Sequence, residues 1–156
     1  ADVNQENLDR AVTDLGVEVV STQDILSAQA DVFAPCAMGA VLNSDTIAKL
    51  RSGIVAGAAN NQLATAEDGH ALQARGILYC PDFLINAGGI IDVHHQRVGS
   101  SNAVKYEHIQ RIETTLSEVL KRADECHTQT QQIAEQLAEE YLAAVGNVTA
   151  PLRAVG

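Results

Sequence analysis

The chain has 156 residues, 46% of them apolar, with 20 acidic against 10 basic side chains and a formal charge of -10, which is enough for one domain with a sizeable core. That balance, without clustered Lys and Arg, argues against a nucleic-acid partner, because phosphate neutralisation needs such clusters. No apolar run approaches the roughly 18 to 20 residues of a membrane span, and the opening ADVNQENLDR is neither basic nor apolar, so a cytoplasmic location is the default expectation.

In chain order, Asn4 is placed to cap a helix over about 5–15, with Leu8, Ala11, Val12 and Leu15 on one face and Gly16 as its stop. The chain enters on this helix without an initiating Met, as though a strand had been cut just before its end, so a fragment is expected. VEVV (17–20) reads as a short strand, TQDIL as a helical turn, and DVFAPCA (31–37) as a strand stopped by Pro35, which has no N–H to donate. Asn43 is placed to cap a second helix carrying Ile47 and Leu50. GIVAGAAN (53–60) reads as a buried strand running into a small-residue turn, AEDGHALQARG as a helix, and ILYCP (77–81) as a strand closed by proline.

Beyond INAGGIIDV (85–93) the texture becomes helical. Ile109, Ile112, Leu116, Val119 and Ala123 form a stripe on a long helix, whose expected role is packing within the domain, with docking to another domain or subunit as the alternative. A second helix is expected to open at Thr128, with Gln131 completing a capping box, and to bury Ile133, Leu137, Tyr141 and Val145 on one face. Residues 1–145 thus read as one compact unit and 146–156 as a loose tail. The alternation of strand and helix predicts an α/β fold on a mostly parallel sheet, followed by C-terminal helices.

Three strand ends carry unusual residues: APCAMGA, GAANNQ and PDFLINAGG. In open parallel sheets ligands bind beyond the carboxyl ends of the strands, so these segments are expected to line a shared crevice with the amides of Asn60, Asn61 and Asn86. Each residue has a plainer reading. The asparagines serve equally as turn residues, and the glycines of INAGG as a tight turn. Asp2, at the end of a strand of a nucleotide-binding unit, would accept from the ribose hydroxyls of NAD, yet it also fits a solvated acid beside a helix cap. Cys36, Cys80 and Cys126 are odd in number and lack paired metal spacing, which suits a reducing compartment and mostly buried thiols. His94 and His95 are adjacent, hence on different faces, and read as surface residues, with no metal site expected.

ADVN followed by DVFAPCAMGAVLN, IVAGAANNQL and YCPDFLINAGGIIDV resembles the NAD-binding half of the amino acid dehydrogenases acting on leucine, valine and phenylalanine, distant relatives of glutamate dehydrogenase. The leucine-active members are the most similar, and four motifs run in order from Asp2 to about Val93. The resemblance implies a Rossmann-type, doubly wound fold and NAD-dependent, reversible oxidative deamination of an L-amino acid to its 2-oxo acid and ammonia. Leucine or another branched-chain substrate comes first, with phenylalanine or valine as alternatives. It implies that Asp2 holds the adenosine ribose, that Cys36 and Ala37 lie along the cofactor, and that Asn60 and Asn61 reach the nicotinamide. Asn86 would contact the polar end of the amino acid, and Ile90 and Val93 its side chain. It also implies a homo-oligomer. The family's first strand with its G-x-G-x-x-G turn, and its catalytic lysines with their partnering aspartate, have no counterpart in these 156 residues, so no catalytic residue is assigned here and 1–156 alone is expected to be inactive. DVHHQRVG stands where relatives carry an acidic pair. From another class, a nucleotide-responsive regulatory domain that never catalyses is the rival reading.

Overall fold

The computed structural model describes residues 1–146; the tail expected over 146–156 lies, from 147 on, outside the described residues. The chain divides into two compact units, Ala1–Asn86 and the segment from Ala87 on. The first is an α/β unit built on an open, parallel, three-stranded sheet, and the second is helical.

Local chemistry sets the first helix. α1 (Gln5–Leu15) begins where Asn4 Oδ1 accepts from the backbone N–H groups of Glu6 and Asn7, at 2.9 and 3.3 Å, which satisfies two donors that the helix itself cannot use. It ends at Gly16, whose φ of 64° is open to glycine at no steric cost. The apolar face of α1 has the expected spacing, yet none of its residues is buried.

The strands β1 (Val32–Phe33), β2 (Ile54–Val55) and β3 (Leu78–Tyr79) run parallel in the order β1-β2-β3. Val32 lies opposite Ile54, and Ile54 opposite Leu78. VEVV at 17–20 is not a strand: its alternation fits one, but a strand exists only as a paired ladder, and β1 pairs with β2 alone. A single 3-10 turn, Ile25–Ser27, follows it.

α2 (Ser44–Ile47) opens with a capping box, Asn43 Oδ1 accepting from Asp45 and Thr46 and the Asn43 N–H donating to Thr46 Oγ1. It stops before Leu50, contrary to the longer helix expected. The guanidinium of Arg75 donates to the carbonyls of Ile47 and Leu50, so a side chain supplies what another helical turn would have supplied. Leu50 is still buried. α3 (Ala66–Ala74) starts where the Thr65 N–H donates to Asp68 Oδ2 at 2.8 Å. Leu42, Ile47, Leu50, Val55, Leu72, Ile77 and Tyr79 form the core of this unit, with Phe33 and Leu63 packed against it.

The short α4 (Asp82–Ile85) ends the first unit. In the second, α5 (Gly88–Val98) packs on α6 (Asn102–Cys126), and α6 packs on α7 (Thr130–Gly146). Val119 and Ala123 of the expected stripe are buried, and Ile109, Ile112 and Leu116 are partly so. α7 opens one residue later than the Thr128 capping box would have it, at Thr130. α6 closes through His127 in the left-handed region, φ 52°, and the Thr128 N–H returns to the Ala123 carbonyl at 3.0 Å, so this amide serves the preceding helix. Ile133 and Leu137 are buried as expected, but Tyr141 and Val145 are 60% and 66% exposed: their face runs past the surface that covers the first half of the helix. No described helix is long and apolar enough to cross a membrane.

Leu72 is fully buried in the core, whereas Leu15 is 76% exposed. Leu72→Ala should therefore lower the unfolding free energy by about 2–5 kcal/mol and Leu15→Ala by no more than about 0.5 kcal/mol, measured by urea unfolding. Equal losses at the two positions would contradict this placement of the core.

Candidate functional site

The three strand-end segments meet through hydrogen bonds that bind one loop to the next. After β1, the Pro35 carbonyl accepts from the Ala59 N–H at 2.9 Å, and the Ala40 N–H donates to the Asn61 carbonyl at 2.7 Å. After β3, Asp82 Oδ2 accepts from the Asn61 N–H at 2.8 Å, and Asn86 Nδ2 donates to Asn60 Oδ1 at 2.6 Å. The middle loop, 57–62, is thus tied on both sides.

Its shape is fixed from beneath. Gln62, fully buried, donates through Nε2 to the carbonyls of Gly57 and Ala59, at 2.7 and 2.9 Å. Gly57 admits no side chain, since a Cβ there would come within 2.2 Å of the Pro35 carbonyl oxygen. Asn61 takes φ 53° and Ala40 φ 55°, left-handed conformations that asparagine tolerates and alanine adopts only when neighbours enforce them.

Of the residues singled out from the sequence, Asn60, Asn61 and Asn86 are brought into one hydrogen-bonded group. The Asn60 carbonyl is used by Asn86, which leaves its NH2 able to meet an outside acceptor. Cys36 and Ala37 lie exposed on the adjoining loop after β1. Cys36 and Cys126 are exposed, so the thiols are not mostly buried as expected; Cys80 is buried, and burial raises its pKa. Loop and helix-end positions place the other two at the surface. Asp2 is exposed beside α1, accepting from the Asn4 N–H at 2.8 Å and from Asn7 Nδ2 at 3.4 Å. The Asn4 N–H lowers its pKa most. Ile90 and Val93 belong to the helical unit, one turn apart on α5 and exposed.

Sequence reasoning passed over Asp82, Tyr79 and Gln62. Asp82 follows a proline at a helix start, where an acid reads as an ordinary first-turn residue. Its partners are 3 and 21 residues away in sequence.

In the helical unit His94 is exposed, but His95 is buried, with its Nε2 3.0 Å from Nδ1 of His108 on α6. The surface assignment of His95 fails because its partner lies 13 residues on, beyond any local pattern. Beside this pair, Lys105 Nζ meets Asp92 Oδ1 at 2.6 Å. No group of three or more metal-ligating side chains occurs among the described residues.

Comparison with known proteins places this architecture. Residues 3–156 match the sequence profile of the Glutamate/Leucine/Phenylalanine/Valine dehydrogenase family. The chain is 39% identical over 141 residues to leucine dehydrogenase of Thermoactinomyces intermedius, covering 90% of this chain and 38% of that protein. Phenylalanine dehydrogenase of Bacillus thermotolerans is 39% identical over 150 residues, covering 93% and 39%. The crystal structure of L-tryptophan dehydrogenase from Nostoc punctiforme superposes with a TM-score of 0.86 at 38% identity, over 89% of this chain and 42% of that one. The chain therefore spans about two-fifths of the length of these relatives.

The buried histidine gives the helical unit a pH dependence. Burial lowers the His95 pKa most, followed by the charges of His94, His108 and Lys105, against a smaller opposing effect of Asp92. The unfolded chain, with histidine near its ordinary 6.5, then binds protons that the folded one refuses, so stability is full above that value and falls as pH drops through it. The urea midpoint should decline below neutral pH and decline less steeply in His95→Gln; an equal slope in both would contradict the assignment.

Proposed function

The chain belongs to the Glutamate/Leucine/Phenylalanine/Valine dehydrogenase family, and on that premise we propose that it is the cofactor-binding part of an NAD-dependent enzyme. The reaction is the reversible oxidative deamination of a branched-chain L-amino acid, leucine first, to the 2-oxo acid and ammonia. One observation carries the reading: three strand-end loops, at the carboxyl edge where parallel sheets bind ligands, are hydrogen-bonded into one surface through Asn60, Asn61, Asp82 and Asn86.

The residues present fit a dinucleotide. Asp2 offers an exposed carboxylate, kept ionised by the Asn4 N–H, that can accept from two ribose hydroxyls and would repel a 2'-phosphate. Cys36 and Ala37 give an exposed, small-residue edge along which the cofactor would lie. Asn60 and Asn61 would hold the nicotinamide end, the NH2 of Asn60 donating to a carboxamide oxygen. When bound, NAD takes up the hydride from the substrate's α-carbon.

Asn86 would orient the polar end of the amino acid. Ile90 and Val93, branched and exposed on one face of α5, suit an aliphatic substrate side chain, which is the basis for favouring leucine over phenylalanine; valine is the nearer alternative. The proton-transfer groups are assigned to a part of the protein outside these residues. The full-length protein is taken as a cytoplasmic homo-oligomer.

Steady-state assays test this directly. The full-length protein should form NADH with leucine at a higher kcat/KM than with phenylalanine, and residues 1–156 alone should form none. Asp2→Ser should weaken NAD and relieve the penalty on NADP. A preference unchanged within a factor of about 2, roughly 0.4 kcal/mol, removes Asp2 from the ribose, and turnover by 1–156 alone overturns the assignment of the base elsewhere.

A further inference from the structure

Asp82 is an unusual first residue for a helix. A first-turn acid ordinarily faces solvent or its own helix's amides, and α4 is only four residues long. Here the residue is 6% exposed, and both carboxylate oxygens are committed elsewhere. Oδ1 accepts from the Tyr79 hydroxyl at 2.6 Å, and Oδ2 accepts from the Asn61 N–H at 2.8 Å. The Tyr79 ring is itself buried in the core. Its hydroxyl also accepts from the Asp82 N–H at 3.3 Å, so the residue is gripped from both its backbone and its side chain.

The two donors are neutral, and no cationic side chain pairs with Asp82 among the described residues. A buried carboxylate without a countercharge is costly to desolvate. Two converging donors are what make it tolerable, since hydrogen bonds to an ionised acceptor are the strong ones. Burial and the neighbouring carboxylate both raise the Tyr79 pKa far above the ordinary tyrosine value, so the hydroxyl stays a donor at any working pH.

We propose that Asp82 is the positioning residue of the cofactor-facing loop: by joining the Tyr79 hydroxyl to the Asn61 N–H, it holds Asn61 in its left-handed conformation and sets how Asn60 and Asn61 present their amides. This rests on the reading of Asn60 and Asn61 as nicotinamide contacts and adds a residue that itself touches neither cofactor nor substrate. The geometry makes the link specific. Asn61 sits at φ 53°, and its carbonyl is already used by Ala40. Releasing its N–H frees the 60–61 peptide, letting the turn rotate there while Ala40 holds the 61–62 peptide and Gln62 keeps the loop's base in place. Asp82→Ala removes the acceptor of the Asn61 N–H outright; an Asn would not, because its Oδ1 could still accept from Asn61 while the Tyr79 hydroxyl, which can also accept, received its NH2.

The test uses the full-length protein, with NAD and leucine as the probes. In Asp82→Ala, hydrogen–deuterium exchange at the Asn61 amide should accelerate about 10-fold or more. KM for NAD should rise about 10-fold while KM for leucine stays within about 2-fold, a split that general damage to the fold would not produce. Tyr79→Phe removes one of the two donors and keeps the ring, so it should give the same split at smaller size and stands in if Asp82→Ala does not fold. Unchanged exchange at Asn61 overturns the clamp. Faster exchange with both KM values moving together, or neither, overturns its role toward the cofactor. If the unsubstituted protein shows no NAD turnover with any amino acid, the proposed function fails, while the exchange experiment still decides whether Asp82 holds Asn61.

Discussion

The backbone of Asn61, through the two peptide groups that flank it, is where the first unit is held together at its candidate binding edge. Its N–H goes to the loop after β3 through Asp82, and its carbonyl receives the N–H of Ala40 from the loop after β1. Each strand is only two residues long, so the ladder alone offers few bonds, each contributing about 0.5–1.5 kcal/mol net. A bond to a buried carboxylate is stronger, about 1.5–3 kcal/mol, which is enough to offset the cost of a left-handed residue, roughly 1–2 kcal/mol. The strain at Asn61 is thus the local consequence of tying three strand ends to one point.

That constraint explains why small residues crowd these loops. Gly57 lies so close to Pro35 that a Cβ would collide with its backbone, and a Cβ at Gly39 would fall 2.8 Å from the Asn60 carbonyl oxygen. With the backbones this close, few large side chains stand on these loops; among the exposed ones are Asn60, Asn61, Cys36 and Met38. Short amides beside one flexible apolar side chain suit a ligand with a planar, hydrogen-bonding end. The helical unit is organised differently: apolar stripes join α6 to α7, and the buried His95 against the half-buried His108, with the adjoining Asp92–Lys105 ion pair, joins α5 to α6.

What could be read from the sequence was whatever is decided within a few residues. The caps at Asn4 and Asn43 and the stop at Gly16 depend only on side chains reaching nearby amides, and they stand as expected. The three sheet strands announced themselves as apolar runs with prolines behind two of them. VEVV carried the same signature and is no strand, because pairing depends on what lies alongside. His95 and Asp82 were illegible for the same reason: their partners are 13 and 21 residues distant. The candidate site was legible as motifs and through family resemblance, but nothing local said that an acid after Pro81 would secure the backbone of Asn61.

On the proposed function, the edge formed by loops 36–40, 58–62 and 81–86 is a dinucleotide surface. The most direct measurement is a crystal structure of the full-length protein grown with NADH. The nicotinamide end is expected against Asn60 and Asn61 and the adenosine ribose on the Asp2 carboxylate, with the Asn61 N–H still bonded to Asp82. A dinucleotide bound elsewhere, with these loops bare, would contradict it.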